Sequence, residues 1–187
     1  MNVNQSDDRL LVERSQAGDM AAFEQLVKEH QGALYCYLYR TCRNSAEAEE
    51  MTQESLVKAW EGLAGFRGEA SFKTWLFRIG TNLCVNRLSR RKPLDPLPDS
   101  LPARRQDEPE QVFRQRVLGE CINAALEQLP ADQRSALVLS VYEETSYDEI
   151  ARMLGRSLAS VNSLIYRARI AVRRSMAEAR RRGLLGE

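Results

Sequence analysis

The stretch Ser146–Arg174, SYDEIARMLGRSLASVNSLIYRARIAVRR, predicts two helices joined by a tight turn. Ser146 and Glu149 have the spacing of a capping box, in which each side chain accepts a hydrogen bond from the other residue's backbone amide. Gly155 can adopt the left-handed conformation that ends a helix, and Ser157 can cap the helix that follows. This pattern is typical of a helix-turn-helix, whose second helix enters the DNA major groove.

The second of these helices has an apolar stripe and a polar outer face. The stripe contains Val161, Ile165, Ala168 and Val172, with Leu164 at its edge. Hydroxyl and amide groups near the start of a helix can hydrogen-bond to base edges, and guanidinium groups further along the helix can bind phosphates. The outer face carries Ala159, Ser163, Tyr166, Arg167, Ile170, Arg173 and Arg174, flanked by Asn162 and Arg169. An ordinary helical hairpin with a basic solvated face is the alternative interpretation.

Charge is unevenly distributed along the 187 residues, although the net charge is only +1. One basic block contains Arg78, Arg87, Arg90, Arg91 and Lys92, and a second runs from residue 152 to residue 182. Acidic residues gather at positions 47–54 and 143–149. Two basic blocks indicate two contacts with a polyanion, and the acidic groups indicate a different partner.

Several classes of function find no support in the sequence. There is no signal peptide and no apolar run long enough to cross a membrane, so we expect a cytoplasmic protein. Cys36, Cys42, Cys84 and Cys121 lack metal-site spacing and are expected to be buried thiols, with a redox switch as the alternative. His30, on an apolar helix face, is expected in the core or at its boundary. Without a phosphate-binding glycine loop or a nucleophile with its base, we expect no enzymatic activity, no cofactor and no small-molecule substrate.

The segment SAEAEEMTQESLVKAWEGL, beginning at Ser45, predicts a helix with two stripes. Its apolar residues face inward. A second, mainly acidic stripe contains Glu47, Glu50, Glu54, Val57 and Lys58. A charged stripe of this kind is either solvated surface or a docking face for a partner.

The next segment combines a glycine-rich loop with another helix. The loop GLAGFRGEAS is expected to expose Phe66 beside Arg67, and Ser71 can cap the helix SFKTWLFRIGTNLCVNRLSRRK. We expect its core face to contain Phe72, Leu76, Ile79 and Leu83. An adjoining stripe of Trp75, Arg78, Asn82, Val85 and Ser89 could stack on and hydrogen-bond to unpaired bases. The alternative for Trp75 alone is a core position.

Residues 93–110 predict a linker between two helical domains. The stretch KPLDPLPDSLPARRQDEP contains five of the six prolines, which remove backbone donors and fix backbone angles. We therefore expect an all-α fold, with domains at 1–92 and 111–187 joined by an extended, flexible segment.

Three long segments, in this order, resemble the extracytoplasmic-function sigma factors of the bacterial sigma-70 family. NSAEAEEMTQESLVKAW is similar to the family segment DAEDLVQETFLRAW. FRGEASFKTWLFRIGTNLCVNRLSRRK resembles the promoter-melting segment FRGESSFSTWLYRIAxNxxxDxxRRxR. LPADQRSALVLSVYEETSYDEIARMLGRSLASVNSLIYRAR resembles the C-terminal DNA-binding domain. The resemblance covers about residues 22–174.

The resemblance implies a sigma factor that directs core RNA polymerase to promoters. The polymerase partners implied are the β′ clamp helices and the β subunit. The residues implied in core binding are Glu47, Glu50, Gln53, Glu54, Val57 and Lys58. Family members are commonly controlled by an anti-sigma factor, often membrane-bound, so such a partner is expected here.

The resemblance also implies contacts with two promoter elements. Melted −10 DNA would meet Phe66, Arg67, Phe72, Trp75, Arg78, Asn82, Asn86, Arg87, Arg90 and Arg91. Duplex −35 DNA would meet Ser157, Ser160, Asn162, Ser163, Tyr166, Arg167, Arg169 and Arg173.

Three positions depart from the family pattern. Asn86 replaces a typical aspartate, which removes a negative charge near DNA, while Asn162 and Leu164 replace a lysine and an arginine of the recognition helix. The −35 contact is therefore expected to be weaker or differently specific. Two alternative functions are a free-standing helix-turn-helix regulator that never joins polymerase, and an inhibitory module that only sequesters it.

Overall fold

The computed structural model describes residues 3–90, 109–143 and 145–185. Helices and one 3₁₀ turn, at Leu63–Gly65, make up its regular structure, and no strand occurs in these ranges. The helices are α1 Val3–Gln16, α2 Met20–Cys42, α3 Ser45–Gly62, α4 Phe72–Ser89, α5 Glu110–Glu127, α6 Ala131–Tyr142, α7 Tyr147–Leu154 and α8 Leu158–Arg181. The all-α fold expected from the sequence is confirmed.

Capping side chains begin most of the helices of the first half. Asp19, Asn44 and Ser71 precede α2, α3 and α4, and each accepts a hydrogen bond from the backbone amide three residues further along. Each bond satisfies one of the amides that have no partner inside the helix. The cap predicted at Ser71 is therefore confirmed.

Helices α1 to α4 pack around a core in which Tyr37 and Phe77 are fully buried, with ring centroids 5.6 Å apart. The buried face of α4 differs from the predicted one. It includes Phe77 and Cys84 in addition to Phe72 and Leu76, whereas the predicted core residues Ile79 and Leu83 are only half-buried. The buried face is wide because other helices cover α4 on more than one side, including α2, α3, α6 and α7.

Gly80 permits the close approach of α4 to α2 and α3. A Cβ atom at this position would lie 2.8 Å from Leu34 Cδ1 and 3.3 Å from Ser55 Oγ. Both neighbouring side chains are fully buried, so neither has open space into which it could move. A side chain at position 80 would therefore push α4 away from its neighbours.

The second half contains the helix-turn-helix predicted from the sequence. Ser146 and Glu149 form the capping box of α7, and Gly155 ends that helix in the left-handed conformation with φ 60°. Ser157 then caps α8 by accepting from the amide of Ser160. Helices α5 and α6 pack against α8 and complete this half.

The two halves are in direct contact, which the sequence did not predict. Helices α6 and α7 pack against α2 and α4, and one continuous apolar cluster extends through both halves. Its members from the second half include the fully buried Val138, Leu139 and Ile150. Most of the predicted linker, and with it Arg91, lies outside the described residues, so its flexibility and the domain boundaries stay predictions.

The cysteines and His30 are placed largely as expected. Cys42, Cys84 and Cys121 are buried, but Cys36 is exposed because it lies on the outer side of α2, so the prediction for that thiol was wrong. His30 is buried, and its Nε2 lies 3.0 Å from Asp8 Oδ2. None of the helices that the structure describes is both long and apolar enough to span a membrane.

Gly80→Ala should destabilise the protein, whereas Gly32→Ala should not. Gly32 lies in α2, and a Cβ atom there would have no neighbouring atom within 4 Å. Alanine at this position should raise the free energy of unfolding by up to about 1 kcal/mol, because alanine has a higher helix propensity than glycine. At Gly80 the steric overlap should outweigh that gain and lower the free energy of unfolding by about 1–3 kcal/mol. Urea unfolding of both variants measures the difference, and equal stabilisation by both substitutions would contradict the close approach.

Candidate nucleic-acid and partner interfaces

Helix α3 presents the predicted acidic residues on one outer face. We call this the acidic face: Glu47, Glu50, Gln53, Glu54, Val57 and Lys58. Their spacing of three to four residues places them on one side of the helix. Glu50, Gln53, Val57 and Lys58 are exposed, and 56% of the surface of Val57 is accessible. The face therefore presents carboxylates, one cation and one apolar side chain to water, a charged surface that can orient a partner of opposite charge.

Arg87 of α4 connects the acidic face to the predicted −10 surface. Its Nη1 donates to Glu50 Oε2 at 2.7 Å and its Nη2 to Glu50 Oε1 at 3.1 Å, while Glu54 Oε2 lies 3.8 Å from Nη2. The hydrogen bonds from Arg87, and then its charge, hold the pKa of Glu50 below its ordinary value. Sequence reasoning assigned these residues to different surfaces and missed the pair, because 37 residues separate them along the chain.

The outer face of α4 carries the polar residues predicted to contact −10 DNA from Arg78 onward. Arg78, Asn82 and Asn86 are exposed on this face, and Arg90 is exposed just beyond the end of the helix. Because they are three to four residues apart, they form a polar row with cationic and amide groups. The row can donate hydrogen bonds to base edges and phosphates.

The aromatic residues near the start of α4 form a cluster. The ring centroids of Phe66 and Trp75 lie 4.8 Å apart, and those of Phe66 and Phe72 lie 6.4 Å apart. Phe66 is half-buried rather than exposed as predicted, because these rings cover it. Phe72 is only 2% exposed, so any effect of Phe72 on DNA in this arrangement is indirect, through the two rings it supports.

The loop before α4 is anchored to α1 and lies beside a cavity. Gln16 of α1 donates from Nε2 to the carbonyl oxygens of Leu63 at 2.9 Å and Phe66 at 2.8 Å. A cavity of about 570 Å³ lies next to this loop and is lined by residues 66–72, by α1 and by Arg152 of α7. Arg67 is exposed at its margin. This anchor could not be predicted from local sequence patterns, because Gln16 lies 47 residues before Leu63.

Helix α8 exposes the residues predicted to read duplex DNA. Tyr166 is 68% exposed, and Asn162, Ser163, Arg167, Arg169 and Arg173 are exposed as well. Ser157 and Ser160 meet at the helix start, where the Ser160 amide donates to Ser157 Oγ at 3.2 Å. Leu164 is half-buried against the apolar cluster, which confirms its predicted position at the edge of the stripe. The helix therefore has the exposed reading face and buried inner face of a helix that enters a DNA groove.

The chain matches two family sequence models and several curated proteins. The model described as Sigma-70 region 2 matches residues 26–93, and the model described as Sigma-70, region 4 matches residues 119–181. The RNA polymerase sigma-H factor of Pseudomonas aeruginosa is 32% identical over 93% of this chain and 96% of that protein. The ECF RNA polymerase sigma-E factor of Escherichia coli is 33% identical over 90% of this chain and 93% of that protein.

Two solved structures have a similar fold. CnrH, solved in complex with the cytosolic domain of CnrY, has a TM-score of 0.70 and 26% identity over 92% of this chain and 98% of that chain. The sigma factor RpoE of Bartonella quintana, solved with the anti-sigma factor NepR, has a TM-score of 0.61 over 83% of this chain and 96% of that chain, and at 23% identity it supports the fold alone. The two family models and these relatives define a two-part helical protein of transcription initiation. The chain belongs to the extracytoplasmic-function sigma factors of the sigma-70 family.

Arg87→Ala should raise the pKa of Glu50 toward its ordinary value, because the fork of hydrogen bonds that favours the carboxylate is lost. Since the pKa is depressed in the folded protein, the pair stabilises the fold above the unfolded-state pKa of Glu50, and the effect disappears as pH falls through the folded-state pKa. Carboxyl-carbon NMR titration of Glu50 measures the shift. Arg78→Ala, which removes an exposed arginine of the same helix, is the control. An unchanged Glu50 pKa in Arg87→Ala would contradict the ion pair.

Proposed function

We propose that this sigma factor makes three different binding contacts, one through each of the three exposed faces described above. The acidic face of α3 binds core polymerase, α4 with the preceding loop holds melted −10 DNA, and α8 reads the −35 element as duplex. The observation that carries this division is the exposure of three chemically distinct faces on one chain: acidic on α3, cationic and amide-bearing on α4, and hydroxyl- and guanidinium-bearing on α8.

The acidic face would dock on the β′ clamp helices through carboxylates around exposed Val57. This arrangement resembles other protein interfaces, in which an apolar centre gives affinity and charges give orientation. A second polymerase contact would involve the β subunit and an apolar groove of about 470 Å³ between α5, α6 and α8. Exposed Val141 and Tyr142 lie at this groove.

The −10 element would be read after melting, because a base shows its pairing edge to a protein only after leaving the stack. The cavity beside residues 66–72 has the volume to hold an extruded base. Asn82, which is exposed further along α4 and does not line that cavity, carries an amide that can both donate to and accept from an unpaired base. Arg78, Asn86 and Arg90 would contact the strand around it. Arg87 would join them after exchanging Glu50 for a phosphate.

The −35 element would be read by α8 in the major groove. Asn162, Ser163 and Arg167 lie within its first three turns, where side chains of a recognition helix reach base edges. Arg169 and Arg173, further along, would contact phosphates. Leu164 offers no phosphate contact, which would leave this surface weaker or differently specific than one with arginine at that position.

The chain would act by binding alone, in the cytoplasm where polymerase works, without catalysis of its own. We also propose an anti-sigma factor as its regulator, because the similar protein CnrH was solved with the cytosolic domain of another protein. A free-standing regulator is less well supported, since the curated relatives that span nearly the whole chain are named sigma factors. An inhibitory module is disfavoured for the same reason.

Reversing the charge of Glu50 and Glu54 together, by Glu50→Lys and Glu54→Lys, should weaken binding to core polymerase at least about tenfold. Like charges set against each other at an interface cost several kcal/mol. Fluorescence titration with core polymerase measures the affinity, and circular dichroism checks that α3 still forms. Glu49→Lys reverses an exposed carboxylate off the acidic face and serves as the control. Equal affinity of the double variant and the control would contradict docking through this face.

Asn82→Ala should reduce promoter opening and leave binding to a −35 duplex unchanged, because the amide serves only an extruded base. Permanganate reactivity of −10 thymines in the polymerase complex measures opening. A pre-melted template should rescue the variant only in part, since base capture itself is lost. Arg167→Ala is the reciprocal control, expected to weaken duplex binding. Wild-type thymine reactivity in Asn82→Ala would show that the amide has no role in melting.

A further inference from the structure

Helix α1 lies beside the proposed −10 site, although the family model for region 2 begins only at residue 26. Leu11 and Val12 are buried in the apolar cluster and hold α1 against the rest of the first half. The helix ends at Gln16, next to the 3₁₀ turn Leu63–Gly65 and the loop that follows it. The family match therefore gives no role in promoter recognition to α1.

Gln16 holds the start of this loop. Its Nε2 donates to the carbonyl oxygens of Leu63 at 2.9 Å and of Phe66 at 2.8 Å. These two residues enclose the 3₁₀ turn, in which the amide of Phe66 donates to the same Leu63 oxygen at 3.0 Å. A side-chain amide nitrogen carries two hydrogens, so both are used on the loop. Gln16 therefore fixes the position of Phe66 and has no hydrogen left to donate to a base.

The end of the loop is held from the same helix. Asp8 Oδ2 lies 3.0 Å from Nε2 of the buried His30. The ring of His30 packs on Phe72, with centroids 5.6 Å apart, and Phe72 in turn contacts Phe66. Asp8 and Gln16 are separated by about 12 Å along the helix. Helix α1 thus holds both ends of the loop, one directly and the other through His30.

Between these two points α1 forms part of the wall of the 570 Å³ cavity, and the loop forms another part. The lining residues from α1 are Asp8, Arg9, Val12, Glu13 and Gln16. In the loop, Arg67, Gly68 and Glu69 are exposed, and Gly68 adopts the left-handed conformation with φ 70°. An exposed loop with a glycine loses much conformational entropy when it is ordered. The contacts of its two ends with α1 therefore determine the shape of the cavity.

We infer that α1 is a positioning element of the −10 site and that Gln16 is the positioning residue through which it acts. By holding Leu63 and Phe66, Gln16 keeps the loop in the conformation that leaves room for one extruded base. A loop that is already ordered loses less entropy on binding, so the base is bound more tightly. The inference rests on the proposed function, because it takes the cavity to be the place where a −10 base enters.

Binding of single-stranded −10 oligonucleotides to the full chain assembled with core polymerase tests this role. The probes carry each strand of the −10 element in turn, with an abasic site at one position at a time. In wild type, the abasic site at the position that enters the cavity should weaken binding about tenfold, because one base loses its stacking contacts. Fluorescence anisotropy of labelled probes measures each affinity.

Gln16→Met keeps the length of the side chain but removes both donors. It should weaken binding of the intact probe about fivefold or more, because two hydrogen bonds to the loop are lost. The abasic site should then cost the variant little further affinity. Gln16→Glu, whose carboxylate cannot donate either, should behave in the same way. Gln25→Met, on the exposed side of α2, is the control and should keep the wild-type affinities.

The affinities over the whole probe set distinguish positioning from a merely structural role. A general destabilisation would lower the affinity for all probes by the same factor and keep the effect of the abasic site, and that result would overturn the positioning role. Wild-type affinities in Gln16→Met would overturn it too, while leaving the proposed −10 contact in place. If no abasic position weakened binding of the wild type, the proposed −10 contact itself would be wrong, and the inference with it.

Discussion

Helix α4 is packed against α1, α2, α3, α6 and α7, and this packing determines how the functional faces of the molecule are arranged. Gly80 allows its inner side to approach α2 and α3 closely, which leaves Arg78, Asn82 and Asn86 on the opposite side in water. The same helix supports α7 of the helix-turn-helix. One element therefore contributes to the core, to the proposed single-strand surface and to the contact between halves.

The electrostatics are suited to an exchange of partners. The Glu50–Arg87 pair is at the surface, where an ion pair gains little because water screens both charges. In the proposed function, a polymerase cation would replace Arg87 beside Glu50 and a phosphate would replace Glu50 beside Arg87, each at small cost. The guanidinium of Arg134 in α6 differs because it is buried, and it donates to three backbone carbonyl oxygens, those of Thr41, Glu127 and Leu129.

Local signals in the sequence predicted the helix-turn-helix well, because a capping box, a left-handed glycine and a serine cap act over a few residues. The buried face of α4 was harder to predict. Its segment FKTWLFRIGTNLCVNRLS is apolar on several sides, and neighbouring helices cover most of those sides. The helical period alone therefore could not show that Phe77 is buried and Ile79 only half-buried. Contacts between residues far apart in the chain, such as Gln16 with Phe66 and Arg87 with Glu50, could not be predicted from the spacing of neighbouring residues. The contact between the two halves could not be predicted from the sequence. Val138 and Leu139 are apolar, and their sequence pattern would be the same if helices of their own half alone buried them.

Promoter-specific initiation requires that one chain hold polymerase, a melted strand and a duplex at the same time. Run-off transcription with purified core polymerase on genomic fragments, with this chain present or absent, tests that requirement most directly. The account predicts discrete transcripts that appear only when the chain is added, each starting downstream of paired −35 and −10 elements. Binding of the chain to duplex fragments without any new transcript from core polymerase would contradict it and favour a free-standing regulator.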